Sequence, residues 1–175
     1  PHTSTVVLKG IPNGFDCIVG NPPYVRARNV SDKTKEFFSD WECGKSGNMD
    51  LYMPFYEVGL KLLNSHGKLV YISPNTYLQA VNGRGLRNYF KSQDITLEII
   101  DFRDSQVFSN VTSYTCVTSA YREAGGTIHY ARMKDSEKLG SQSFTTYHMK
   151  DFAENQPWRL CDAVHDDLIL SLIHI

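Results

Sequence analysis

The decapeptide FDCIVGNPPY, running from Phe15 to Tyr24, decides the fold class of this chain. Its first six residues, Phe15–Gly20, have an apolar and β-branched centre, which predicts a short buried strand. Residues 21–24 come directly after that strand. In an open α/β sheet, ligands bind in the crevice beyond the carboxyl ends of the strands. The sequence therefore predicts an α/β fold in which residues 21–24 form a functional loop.

The tetrapeptide Asn21-Pro22-Pro23-Tyr24 is suited to hold a planar group that carries an NH2. The side-chain carbonyl of Asn21 can accept one hydrogen bond from that amine, and the backbone carbonyl of Pro22 can accept the other. Two prolines fix the backbone and offer no competing N–H donor. A flat base can stack on the Tyr24 ring. A plain loop is the alternative interpretation, but by chance such a sequence occurs in on the order of one chain in several hundred.

The two acceptors favour methyl transfer to that amine. An aromatic exocyclic amine is a weak nucleophile, because its lone pair is delocalised into the ring. Paired acceptors favour a pyramidal nitrogen and stabilise the positive charge that develops as it attacks a methylsulfonium. The Tyr24 face can add a cation–π contact. Such a site requires no strong base.

The residues after the loop predict helices that alternate with strands. Ser31 is expected to cap a short helix, and Asp50 is expected to cap a second one over Met53–Leu63. Gly67 is expected to end that helix before a strand at Leu69–Ser73. Helical spacing predicts that the apolar face of the second helix consists of Leu51, Phe55, Val58 and Leu62. A further helix is predicted at Leu86–Lys91, and further strands are predicted at Thr96–Phe102 and Tyr114–Tyr121.

Taken in order, these segments resemble the motifs of adenine-specific (N-6) DNA methyltransferases of restriction-modification type. The matching segments are Asn21–Tyr24 with its strand, Asp50-Leu51-Tyr52, Gly67–Pro74, and Val107-Phe108-Ser109 with the following apolar run. The resemblance covers Phe15 to Arg122. It implies a partial Rossmann-like methyltransferase fold with a mostly parallel sheet and an antiparallel edge strand. It also implies S-adenosylmethionine as cofactor and double-stranded DNA, with the target adenine extruded, as substrate.

The resemblance assigns roles to individual residues. The catalytic residues are Asn21, Pro22, Pro23 and Tyr24. Phe108 is expected to pack on the extruded adenine opposite Tyr24, with a core Phe as the alternative. Phe55, together with Asn21, is expected to contact the cofactor, with core packing as the alternative for Phe55. Arg26 and Arg28 are expected to touch DNA phosphates, with a solvated loop as the alternative.

The domain organisation follows from what the family carries elsewhere. Residues 1–14 are expected to end a cofactor-binding half, 15–122 to form the substrate half, and 123–175 to form a connector and the start of a target-recognition domain. After residue 122, candidate strands are expected at Thr127–Met133 and Ser143–Met149, and Gln156–Leu160 then resembles the connector into a recognition domain. Gly83-Arg84-Gly85 lacks the third glycine of a cofactor loop and is interpreted as a turn. The chain is therefore expected to be a fragment of a longer polypeptide, inactive on its own.

The composition is consistent with a cytoplasmic bacterial enzyme. A chain of 175 residues with 41% hydrophobic residues can bury a core. It has no run as long as a membrane span and no recognisable signal peptide. Its four cysteines are scattered and its six histidines do not pair at ligand spacing, so no metal site is expected. A net charge of −1 leaves most DNA contact to other domains.

Two alternatives keep the tetrapeptide and change the function. The same acceptors would serve an amino group in RNA or a glutamine amide in a protein. A non-catalytic scaffold is the third reading, although an intact Asn21 and Tyr24 argue against decay of the site. The helix after Asp50 and the long loop before it favour DNA over the other substrates.

Overall fold

A computed structural model describes residues 13–45, 48–102, 114–122, 125–133 and 140–161. The α-helices in these ranges are α1 (Asp32–Phe38), α2 (Met53–Leu62) and α3 (Arg84–Ser92). The strands in the same ranges are β1 (Phe15–Gly20), β2 (Leu63–Pro74), β3 (Thr96–Asp101), β4 (Thr115–Tyr121), β5 (Thr127–Arg132) and β6 (Thr145–His148). The predicted α/β class is confirmed, and the helix and strands predicted between residues 86 and 121 are present within two residues of their expected ends.

The six strands form one sheet in the order β1-β2-β4-β3-β5-β6. Strands β1, β2, β3 and β5 point the same way, because the β1–β2 and β3–β5 pairs are parallel and β4 is antiparallel to both β2 and β3. The mostly parallel direction and the antiparallel edge strand, β6, agree with the sequence-based expectation. The reversal of β4 inside the sheet was not expected. It needs no crossover helix, because β4 pairs antiparallel with the strand that precedes it in the chain.

Strands β5 and β6 belong to the segment that the sequence assigns to the connector. β5 pairs along its length with β3, and β6 pairs with β5. One sheet therefore extends across the expected boundary at residues 122 and 123.

The predicted apolar face of α2 is wrong. The helix buries Met53, Tyr56 and Leu60 instead, and Phe55 remains 37% exposed. Tyr56 sets this orientation, because its hydroxyl forms a 2.8 Å hydrogen bond with Ser73 Oγ on β2. The prediction took the spacing of Leu, Phe and Val residues as the buried face, whereas the face that is buried includes a tyrosine.

Gly67 does not end α2, contrary to expectation. The helix ends at Leu62, and β2 begins at the next residue and includes Gly67. A Cβ atom at Gly67 would lie 2.7 Å from the carbonyl oxygen of Phe15, which is backbone. This glycine therefore permits β1 to approach β2, at the point where the register of the pair shifts.

Strand β1 is less buried than the sequence predicts. Among the described strands it pairs only with β2, so it lies at an edge. Cys17 is exposed and Val19 is 74% exposed, while Ile18 packs against the core.

Aromatic residues form the centre of the core between the sheet and the helices. Tyr56, Tyr77 and Phe90 contact one another, with ring centroids between 5.4 and 6.1 Å apart. Trp158 stacks on Phe90 at 6.3 Å. None of the helices in the described part of the chain has the length and apolar character that a membrane crossing needs.

Candidate functional site

The loop at residues 21–24 leaves the carboxyl end of β1 with two acceptors available. Pro23 has its carbonyl engaged, because the Val25 N–H donates to it at 3.0 Å. Neither the Asn21 side chain nor the Pro22 carbonyl accepts a hydrogen bond from any residue that the structure describes. Asn21 is exposed, so its amide is accessible. These are the two acceptors that the sequence predicts for a substrate amine.

The side chain of Tyr24 is a neutral aromatic ring whose hydroxyl stays protonated. Its hydroxyl is buried and has no hydrogen-bond partner among the described residues. Burial raises the pKa of Tyr24 to about 12, and the nearby Cys116 thiol acts in the same direction. The phenol therefore stays protonated at neutral pH, which rules out a general-base role and is compatible with stacking.

Two hydrogen bonds hold the residues that follow the tetrapeptide. Asp50 Oδ1 accepts from the Ala27 N–H at 2.8 Å, and the Leu51 N–H donates to the Val25 carbonyl at 2.8 Å. Asp50 does not cap α2 as predicted; the cap position is occupied by Tyr52. The carboxylate instead holds a loop that lies 23 residues earlier in the chain, a contact that local sequence spacing does not reveal.

A small cavity, here called the motif pocket, adjoins this loop. It has a volume of about 150 Å³ and is lined by Tyr24, Arg26, Asp50, Tyr52, Thr76 and Tyr114, among others. The structure thus brings Tyr24 and Arg26 to one site. Arg28 is exposed but does not line the pocket.

A larger cavity, here called the cleft cavity, lies beside the motif pocket. Its volume is about 500 Å³, and its lining includes Asn75, Thr76, Leu78, Gln79, Asp101 and Tyr114. These residues come from the carboxyl ends of β2 and β3 and from the residue before β4. Thr76 and Tyr114 line both cavities, so the two share a wall. The sequence does not predict this cavity, because Asp101 and Tyr114 come close to Asn75, Thr76 and Gln79 only in the folded sheet.

A buried carboxylate organises the floor of the cleft cavity. Asp101 is 3% exposed and accepts from Asn75 Nδ2 at 2.8 Å and from the Tyr130 hydroxyl at 2.9 Å. Asn75 in turn donates its backbone N–H to the Tyr114 carbonyl at 3.0 Å. These bonds fix three strand ends relative to one another.

Two glycines make room for an aromatic ring directly behind the loop. A Cβ at Gly20 would lie 2.9 Å from the Tyr71 ring, and one at Gly59 would lie 2.8 Å from the Tyr71 hydroxyl. Tyr71 pairs with Gly20 across the β1–β2 ladder. The position of Asn21 therefore depends on a ring that only glycine neighbours can accommodate.

The remaining predicted residues lie apart from these cavities. Phe55 lines neither of them, although its exposed ring is accessible to a ligand on another side of α2. Phe108 lies outside the described residues. Gly83 ends a 3-10 turn and is the N-cap of α3, so it does not form a cofactor loop. Within the described ranges, no three potential metal ligands cluster.

The sequence matches a known family and several of its members. The Eco57I restriction-modification methylase family matches residues 3–108. The type II restriction enzyme and methyltransferase RM.Eco57I of Escherichia coli is 32% identical over 127 residues, which is 71% of this chain and 13% of that protein. The type II methyltransferase M.HincII of Haemophilus influenzae is 32% identical over 102 residues, or 57% of this chain and 20% of that protein. The chain thus spans a fifth or less of these relatives.

Solved structures share the fold at low sequence identity. A nuclease-deletion mutant of the type ISP enzyme LlaGI, in complex with a DNA substrate mimic, has a TM-score of 0.63 at 15% identity, over 87% of this chain and 19% of that one. The methyltransferase subunit of a type I restriction-modification system from Streptococcus thermophilus has a TM-score of 0.55 at 17% identity, over 96% of this chain and 33% of that one.

Proposed function

The chain belongs to the Eco57I restriction-modification methylase family, and from this premise we propose that it carries the substrate half of an adenine-specific DNA methyltransferase. The reaction is transfer of a methyl group from S-adenosylmethionine to the exocyclic amine of an adenine extruded from double-stranded DNA. The observation that carries the proposal is the pair of acceptors, Asn21 Oδ1 and the Pro22 carbonyl, to which none of the described residues donates, beside the half-buried ring of Tyr24.

The residues of this chain act by orientation and electrostatics. S-adenosylmethionine supplies an electrophilic methyl group on a positively charged sulfur. Asn21 and Pro22 hold the two amine hydrogens, so that the nitrogen lone pair is directed at the methyl carbon. The same oxygens would stabilise the positive charge that develops on the amine nitrogen as it is methylated, until its proton passes to solvent. The neutral Tyr24 ring supports the base by stacking.

Other residues are proposed to bind the DNA and the cofactor. Arg26, which lines the motif pocket, and the exposed Arg28 would contact phosphates beside the extruded nucleotide. Phe108 would cover the face of the adenine opposite Tyr24 and so offset part of the cost of extrusion. Asn21 and the exposed ring of Phe55 would contact the cofactor, for which both are accessible.

We extend the proposal to the domain organisation. Residues 1–14 would end a cofactor-binding half, 15–122 would form the substrate half, and 123–175 would lead to a target-recognition domain in the same polypeptide. The relatives are longer than this chain, so a protein of their length could include both a cofactor-binding half and a target-recognition domain. On this view the segment 15–122 needs those domains for activity, and β5 and β6 attach the recognition domain to the catalytic sheet.

The test uses the complete reading frame in a bacterial host that lacks adenine methylation. Genomic DNA is digested to nucleosides, and N6-methyladenine is quantified by mass spectrometry. Wild type should produce methyladenine, and Asn21→Ala should lower it about 100-fold or more, because one acceptor for the developing charge is lost.

The control is Asn82→Ala, an amide that lines neither cavity, which should retain wild-type activity. A well-expressed wild type that leaves DNA unmethylated would overturn the proposal. RNA and protein hydrolysates from the same cells would then be assayed for methylated amines.

A further inference from the structure

The ring of Tyr114 is exposed at the centre of the candidate site. The residue is 59% exposed, so its ring is accessible to a ligand. With Thr76 it forms the wall that the motif pocket and the cleft cavity share. A ligand that occupies both cavities would therefore lie against Thr76 and Tyr114.

The backbone of Tyr114 is held on a rigid frame. Its carbonyl accepts the Asn75 N–H at 3.0 Å, and the next residue, Thr115, begins β4 and accepts the Phe102 N–H at 3.0 Å. The hydrogen bonds from Asn75 and Tyr130 to Asp101 stabilise the same frame. An aromatic platform with a fixed backbone binds a flat ligand at a lower entropic cost than one on a mobile loop.

The chemistry of the cleft cavity favours a neutral planar group over a phosphate. Neither Lys nor Arg is among the described residues that line it, and the Asp101 carboxylate would repel an anion. The amides of Asn75 and Gln79 and the hydroxyl of Thr76 can pair with the edge of a heterocycle. Tyr114 adds a π-face.

The motif pocket alone is small for a nucleotide. Its volume of about 150 Å³ is below the roughly 300–1,000 Å³ of typical ligand sites, whereas the adjoining cleft cavity holds about 500 Å³. Tyr24 and Tyr114 both line the motif pocket, so a base that stacks on Tyr24 there would lie beside the wall formed by Thr76 and Tyr114.

We propose that Tyr114 is a further binding residue for the extruded base, which it contacts where the motif pocket opens into the cleft cavity. This inference rests on the proposed function and adds a contact distinct from the tetrapeptide and from Phe108. Tyr114 acts through ring contact, since its hydroxyl has no hydrogen-bond partner among the described residues.

The experiment measures DNA binding by the complete protein. The recognition sequence is first obtained by mapping N6-methyladenine in the DNA of the expressing host. Two duplexes are then compared that differ only at the target position, which carries either adenine or an abasic site. The variants are Tyr114→Ala, Tyr114→Phe and, as a matched exposed aromatic that lines neither cavity, Phe144→Ala.

Tyr114→Ala should weaken binding to the adenine duplex about 5- to 100-fold, the range measured when a base loses an aromatic partner. Its binding to the abasic duplex should stay at the wild-type level. Tyr114→Phe and Phe144→Ala should match wild type on both duplexes. Circular dichroism and melting temperature verify that each variant is folded.

Two results would overturn the inference while leaving the proposed function intact. Tyr114→Ala could bind the adenine duplex as wild type does, or it could lose affinity equally on both duplexes. The first outcome excludes a contact, and the second assigns Tyr114 to the general structure of the site. A wild-type protein that methylates no DNA would instead overturn the proposed function, and this inference with it.

Discussion

The side chain of Glu57 is fully buried, and its carboxylate joins α2 to the loop that follows α1. Oε2 accepts from the Cys43 N–H at 2.9 Å, and Oε1 lies 2.7 Å from Lys61 Nζ. Lys61 also covers the Trp41 ring at 4.7 Å. Burial alone would raise the pKa of Glu57, but the hydrogen bonds from Cys43 and Lys61 outweigh it, and the pKa lies below its ordinary value.

Glu57→Gln is therefore expected to lower the free energy of unfolding at pH 7 by about 2 kcal/mol, because Gln cannot accept from both partners. The sign of the pH dependence follows from the lowered pKa. Ionised Glu57 contributes fully above the pKa of the unfolded chain, and this contribution is lost as the pH falls through the lower pKa of the folded state. Urea unfolding from pH 7 to pH 3 should show the two proteins converging below about pH 5.

Glu42→Gln is the matched control for Glu57→Gln. Glu42 lies in the same loop, and its ion pair with Lys45, at 2.6 Å, is more than half exposed. Its replacement should cost less than about 1 kcal/mol. An equal loss in both variants, or a difference that does not change with pH, would contradict the assigned role of Glu57.

Among single residues, the sequence predicts the candidate role of residues 21–24 but not the carboxylates that hold the surrounding loops and strands in place. Asn21, Pro22 and Tyr24 are recognisable because their acceptors and ring define a chemistry in four consecutive positions. Asp50 and Asp101 are not, since each acts on residues more than twenty positions away. Long-range contacts of this kind arise only when the sheet has formed.

Helix α3 is connected to the cleft through one buried arginine. Arg87 is 1% exposed and donates to the carbonyls of Tyr77, Ala80 and Gln156 at 2.6, 2.9 and 3.0 Å. Ala80 lines the cleft cavity, Tyr77 lies between the lining residues Thr76 and Leu78, and Gln156 lies in the connector. A single guanidinium therefore holds three segments together.

Arg87→Met should destabilise the protein by about 3 kcal/mol, because the buried carbonyls lose their charged donor. It should also accelerate tryptic cleavage after the exposed Arg159, since the connector loses its anchor. Both effects are measurable by urea unfolding and by mass spectrometry of a digestion time course.

Arg87→Lys should fall between wild type and Arg87→Met, because one ammonium cannot reach all three carbonyls. Lys33→Met, a change in an exposed residue of α1, serves as the control and should alter neither quantity. Unchanged cleavage at Arg159 in Arg87→Met would show that Arg87 does not hold the connector.

The elements themselves were predictable to different degrees. Strands rich in β-branched and apolar residues, such as Thr96–Asp101 and Thr115–Tyr121, stand out in the sequence. The orientation of α2 does not, because tyrosines supply both its packing and its buried hydrogen bonds. The antiparallel direction of β4 cannot be predicted from the residues of the strand itself, because strand direction depends on how the chain connects one strand to the next.

In the whole molecule, the connector is packed as part of the sheet's core. The backbone N–H of Trp158 donates to the Leu78 carbonyl at 2.7 Å. The residue is 1% exposed, and its indole ring packs between Phe90 and Phe152. The end of the described chain is thus attached to the wall of the cleft cavity, which includes Leu78.

Native-state hydrogen exchange should reveal this attachment. The opening free energy measured from exchange of the Trp158 amide should be close to that of amides in β4, a strand that is paired on both sides. The amide of Phe152, whose bond to the Met149 carbonyl is 3.3 Å, serves as an internal reference and should exchange faster. Exchange of Trp158 at the Phe152 rate would show that the connector opens independently.

The arrangement of Gly20, Tyr71 and Gly59 constrains how this sequence can diverge. Each glycine contacts the same ring at a distance that leaves no space for a methyl group. An Ala at Gly20 is tolerated only after Tyr71 has become smaller, and an Ala at Gly59 also requires Leu69 to move, because its Cδ1 would lie 2.6 Å from the new Cβ. A smaller residue at 71 in turn leaves a void behind Asn21 unless a glycine is replaced. Substitutions at these three positions are therefore expected to be coupled among descendants of this chain, because all three determine the packing behind the loop at residues 21–24.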